Sequence, residues 1–124
     1  MDSKFTTLVR IVLGVILMVF GSNKFLHFIP MSPPIGSAGD FLNVLGASGY
    51  FFPVLGFVEL CIGAMLVFKR GVPFGIIVLA PISLNILLYH AFFDVPGLWI
   101  AAVVLAFNVI LIYKYWKLYR PLFH

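Results

Sequence analysis

Seven polar side chains stand out because they interrupt otherwise apolar stretches: Arg10, Asn23, Lys24, Glu59, Asn85, His90 and Asn108. Polar groups in hydrocarbon cost free energy and usually face a bundle interior or a cavity. A carboxylate at such depth takes up a proton or finds a cation. Glu59 therefore calls for Lys24 from one side or Arg10 from the other, and the chain alone leaves both partners open. The amides of Asn85 and Asn108 suit hydrogen bonds between helices. His27 and His90 lie on two different stretches, but no haem motif accompanies them, so axial ligation is not expected. The acidic residues are too scattered for a zinc site, and no metal is expected. No nucleophile triad or glycine-rich phosphate loop is present. The single cysteine, Cys61, cannot form an intramolecular bridge, which excludes internal disulfide exchange. It reads as a small packing residue between helices.

The elements that must position these groups are membrane spans. Of 124 residues, 63% are hydrophobic and only 10% are charged, and the mean hydropathy is +1.15. Soluble domains carry about 25% charged residues. That composition excludes a soluble domain, a disordered chain and a disulfide-stapled module. The net charge of +4 is small, and the basic residues cluster at the ends and in one turn, which excludes a nucleic-acid binder. A bilayer core of about 30 Å needs about 20 apolar residues per helix. Four stretches meet that need, near 5–29, 50–68, 72–93 and 97–115. They predict a single all-α domain, a four-transmembrane-helix bundle. The first stretch ends at Gly21-Ser22-Asn23-Lys24 without a small-x-small cleavage site, so it reads as a retained helix rather than a signal peptide.

The connections differ. Lys69-Arg70-Gly71 predicts a tight basic turn before Pro73, and Asp94 to Gly97 a tight turn without basic residues. The first connection, 30–49, opens with prolines and then carries Ser37-Ala38-Gly39-Asp40, the form of a capping box, before Phe41, Val44 and Leu45. A short amphipathic helix is expected there, on the membrane surface or across the bundle's mouth. Lys4, Arg10, Lys69, Arg70, Lys114, Lys117 and Arg120 share one side if there are four spans, which puts both termini in the cytoplasm. The aromatic-basic stretch from Lys114 to Arg120 reads as an interfacial anchor, with Tyr113, Tyr115, Trp116 and Tyr119 at the inner surface and Trp99 and Tyr50 at the outer one.

Helical geometry refines the picture. At about 100° per residue, Arg10, Gly14, Leu17, Gly21 and Lys24 share one face of the first helix within about 40°. Gly56, Glu59 and Gly63 share a face of the second, and the two glycine-bearing faces are expected to meet, since small residues let backbones approach. Depth arithmetic at 1.5 Å per residue puts Glu59, Asn85 and Asn108 at one level, with Asn23, Lys24, His27 and His90 in a second layer nearer the outer surface. Asn85 and His90 point about 140° apart, so a single cleft holding both needs a distortion. Pro81 removes a helical hydrogen bond and frees the Ile77 carbonyl.

Taken in order, Arg10-Ile11-Val12-Leu13-Gly14, Gly21-Ser22-Asn23-Lys24-Phe25, Glu59-Leu60-Cys61-Ile62-Gly63 with Leu66, and Asn85 to His90 followed by Phe93-Asp94-Val95-Pro96-Gly97 make the chain resemble the DoxX-like family of small four-helix membrane proteins. The resemblance covers nearly the whole chain. It implies a bacterial inner-membrane location and Arg10, Lys24, Glu59, Asn85 and His90 as the functional positions. Some members are subunits of quinone-linked oxidoreductases, including thiosulfate oxidation, or sit in complexes that manage oxidative stress. The resemblance thus implies an accessory subunit with a quinone-binding polar pocket around Glu59 and a membrane redox partner. Two other readings stay open: a small proton-coupled transporter, and a structural or assembly factor. Assembly into a homo-oligomer also stays open.

Overall fold

A computed structural model describes residues 3–26, 36–93 and 95–123. The described chain is helical, with no strand among the described residues. Helix α1 spans Lys4–Leu26, α2 Gly36–Ala47, α3 Phe51–Val67, α4 Val72–Phe93 and α5 Leu98–Lys114. A 3-10 turn at Val95–Gly97 precedes α5, and a short helix α6 (Trp116–Tyr119) runs into a 3-10 turn at Arg120–Phe123. Three segments are long and apolar enough to cross a membrane: α1, α4, and α5 with its preceding 3-10 turn. The α2–α3 pair, bent by 90°, supplies a fourth if it is counted as one span. By itself α3 has 17 residues, about 25 Å at 1.5 Å per residue. The last predicted residues of the first span, 27–29, lie outside the described residues, as do His27 and Asp94.

The helices form a ring of neighbours. Helix α1 packs most extensively on α3, and α4 on α5; α1 also meets α5, and α3 meets α4. Leu13, Leu17, Ile62, Leu66, Ile76, Leu79, Val104 and Leu111 form the shared core. Elsewhere the helices present large apolar side chains outward, among them Leu8, Phe57, Phe74 and Phe92. In water such a surface would aggregate; in lipid it is the solvated face. Cys61 is also exposed, which corrects its expected place between helices. It lies on the face of α3 turned away from the Gly56–Gly63 stripe, and a small sulfur side chain is as comfortable against acyl chains as against a neighbouring helix.

Local chemistry sets the ends. Ser3 caps α1, its Oγ accepting the Thr6 amide at 3.1 Å. The expected short helix is present as α2, although it starts at Gly36, one residue before the expected cap residue Ser37. Ser48 forms the elbow into α3: its Oγ donates to the Leu45 carbonyl at 2.6 Å and accepts the Phe51 amide at 3.3 Å. Gly49 beside it has φ +81°, a conformation that a side chain would strain. At the other end of α3, Lys69 adopts φ 55° and the Arg70 amide reaches back to the Met65 carbonyl at 2.9 Å. This is the six-to-one bond of a Schellman ending, with lysine in the position glycine usually holds.

Candidate functional site: the polar seams of the bundle

The glycine faces of α1 and α3 meet. A Cβ built on Gly63 would lie 2.8 Å from the Gly14 carbonyl oxygen, and one built on Gly21 would lie 2.9 Å from that of Gly56. Both are closer than real Cβ contacts, and the opposing atom is backbone. The two helices therefore touch main chain to main chain, which only glycine at these positions permits.

That approach brings Lys24 onto Glu59. The lysine Nζ lies 2.6 Å from Glu59 Oε1, with the lysine side chain 21% exposed and the glutamate 4%. Of the two cations that the chain offers to Glu59, Lys24 is its partner. The reason is geometric. Lys24 sits one turn beyond Gly21 on the same face, and its Cβ packs against Gly56, one turn from Glu59 on α3. Its flexible stem then runs along the seam to the carboxylate.

Arg10 does something else. It lies 14 positions before Lys24, about 21 Å along the helix, and is buried. Its Nη1 donates to the Leu66 carbonyl and, at 3.4 Å, to the Val67 carbonyl. These belong to the last turn of α3, where carbonyls lack helical partners. The guanidinium thus closes the C-terminal end of the neighbouring helix, where the helix dipole also favours a cation.

Asn108 makes the hydrogen bonds between helices expected of it, whereas Asn85 bonds within its own helix. Asn108 is fully buried, and its partners are on α4: its Nδ2 donates to the Ile76 carbonyl at 2.9 Å and its Oδ1 accepts from Ser83 Oγ at 2.9 Å. It fastens α5 to α4, and its two hydrogen bonds go to Ser83 and Ile76 rather than to Glu59. Asn85 is exposed, with its Nδ2 donating to the Pro81 carbonyl one turn earlier at 2.8 Å. The single level shared by Glu59, Asn85 and Asn108 is therefore not a single cluster. Depth follows from counting along a helix, whereas facing depends on rotation about its axis, and the three residues face different ways. His90 is half-buried near the C-terminal end of α4, edge-on to the Tyr89 ring at 5.1 Å. Tyr89 in turn stacks on Phe41 of α2 at 5.8 Å, which holds the short helix over α4. Asn23 is buried on α1 beside Lys24. Of the seven candidates, then, the structure joins Lys24 with Glu59 and distributes Arg10, Asn85, His90 and Asn108 over other places.

Two apolar grooves mark the bundle's sides. One, of about 390 Å³, lies between α3 and α4 and is lined by Tyr50, Phe51, Val54, Leu55, Val58 and Ile82. The other, of about 210 Å³, is lined by Ile16, Phe20, Trp99, Ile100 and Val103. Neither is lined by Lys24 or Glu59. A quinone ring needs an apolar slot with donors aimed at its carbonyls. Here the slot on α3 and the charged pair on α3 face different neighbours. Among the described residues no group of three metal-ligating side chains gathers.

Two participants lacked a sequence signal. Ser83 is the hydroxyl partner of Asn108, and its separation from Asn108 in sequence carries no periodicity. Tyr119 is buried and its phenol donates to the Pro73 carbonyl, a contact between chain segments that no local pattern foretells. No family model, curated protein or solved structure matches the chain.

Proposed function

We propose that this chain is a DoxX-like multi-pass protein of the bacterial inner membrane, with α1, α3, α4 and α5 as its four spans and both termini cytoplasmic. It acts as an accessory membrane subunit of a quinone-linked redox or oxidative-stress complex, and the redox chemistry resides in the partner. The observation that carries this reading is where the buried polarity goes. Glu59 is taken up by Lys24, Arg10 by the end of α3, and Asn108 by Ser83 and Ile76, so these groups fasten helices to one another. The outward faces remain large and apolar, as a subunit that packs beside other membrane helices requires. The placement of Lys69, Arg70, Lys114, Lys117 and Arg120 supports the cytoplasmic termini.

The test is genetic and biochemical. Deleting the gene is expected to lower quinone-dependent activity in isolated membranes, and re-expression to restore it. A chain that migrates alone from mild detergent, with quinone reduction unchanged by its deletion, overturns the proposal.

The structural or assembly reading has one specific observation in its favour, namely that the ion pair closes a helix seam and lines neither groove. The double variant Lys24→Met/Glu59→Leu separates the two. If it is stable and fully restores activity, the pair is a fastener. If it is stable and inactive, the pair meets a ligand or partner.

A further inference from the structure

Independently of that function, one end of the molecule gathers its cations. The Lys69–Arg70 turn, the Lys114 end of α5 and the tail with Lys117 and Arg120 are drawn together by contacts between elements. Tyr119 donates to the Pro73 carbonyl at the start of α4, three residues after Arg70. Lys114 Nζ lies 5.9 Å from the Phe5 ring centre at the start of α1. All of Lys69, Arg70, Lys114, Lys117 and Arg120 are exposed. The two acidic residues among the described ones, Asp40 and Glu59, belong to α2 and to the Lys24 pair.

The tail carries a second feature. Trp116 and Phe123 stack at 5.5 Å, closing α6 and the following 3-10 turn into a hook. Tyr119 pins the hook inward, while Leu118, Leu122 and Phe123 are at least half exposed. Exposed cations and exposed large apolar groups thus interleave within eight residues, from 116 to 123. A nucleic acid or an acidic peptide would satisfy the cations and leave the apolar groups in water. A surface with anionic headgroups above acyl chains satisfies both.

We propose that the hooked tail and the Lys69–Arg70 turn form a binding site for an anionic phospholipid headgroup, with Arg70, Lys117 and Arg120 around the phosphate and Leu122 and Phe123 among the acyl chains. Arginine suits phosphate because its planar fork donates two parallel hydrogen bonds. The Tyr119–Pro73 contact holds the two halves of the site in register.

The test uses the full chain in detergent micelles, titrated with phosphatidylglycerol, phosphatidylcholine or inorganic phosphate and followed by thermal unfolding and native mass spectrometry. Phosphatidylglycerol is expected to raise the unfolding midpoint and stay bound, whereas the other two do neither. At about fivefold per basic residue, the Arg70→Gln/Lys117→Gln/Arg120→Gln variant binds on the order of a hundredfold more weakly. These residues are exposed, so the fold is expected to survive; raising the salt on the unaltered chain gives the same loss without any substitution. Equal shifts with both lipids, a matching shift with phosphate alone, or an undiminished phosphatidylglycerol preference in the triple variant or at high salt would each overturn the site.

Discussion

The seams between α1 and α3 and between α4 and α5 solve one problem in two ways. Helices in lipid gain little from burying apolar surface against each other, because acyl chains are equally apolar. The α1–α3 seam answers with close backbone approach through Gly14, Gly21, Gly56 and Gly63, completed by a charged pair. The α4–α5 seam keeps its side chains and answers with a neutral network, Asn108 to Ser83 and to the Ile76 carbonyl. The first depends on shape and fails abruptly when a methyl group intrudes. The second depends on hydrogen bonds and fails by degrees. Charge sits where the seam is tightest, since a close, well-aligned pair is what offsets the cost of desolvating two ions.

The sharpest way to break this contrast is Gly63→Leu. The added side chain meets the Gly14 carbonyl, which cannot rotate away, so a loss of about 3 kcal/mol or failure to fold is expected, read by thermal unfolding in detergent. Next comes the pair itself. Lys24→Met strands a buried carboxylate and is expected to cost about 3 kcal/mol. Glu59→Gln leaves a partly exposed lysine that can reach outward, and should cost less. Equal losses would show that the two ends of the pair are equally enclosed. On the other seam, Asn108→Leu removes two hydrogen bonds but leaves Ser83 its second acceptor, the Ala80 carbonyl at 3.1 Å. A loss of about 1 kcal/mol is expected, and a loss as large as that of Gly63→Leu would erase the distinction between the seams.

Smaller effects sharpen the ends. Lys69→Gly relieves a left-handed conformation and should raise stability by about 1 kcal/mol, read by thermal unfolding in detergent; a loss instead would show that the lysine side chain holds the turn. Burial, with Tyr115 beside it, pushes the Tyr119 phenol up from 10.0 to about 12. Its contribution is complete below pH 10.0 and is lost as the pH rises through about 12. Ultraviolet titration should show one late-titrating tyrosine that is absent from Tyr119→Phe.

Much of this was legible in the chain because periodicity and composition are properties of a single strand of residues. Four apolar stretches, the α2 helix, the shared face of Arg10, Gly14, Leu17, Gly21 and Lys24, and the meeting of the two glycine faces all follow from helix geometry and hydropathy. So did the need of Glu59 for a cation. Which cation answered was decided by the tertiary fold, because the choice rests on the axial offset between α1 and α3, which no spacing within either helix encodes. The same holds for Arg10 at the end of α3, for Asn108 with Ser83 rather than Glu59, and for Tyr119 on Pro73. Counting residues gives depth along one axis. Rotation and offset between two axes arise only when side chains of both helices pack, and they decide which polar groups meet.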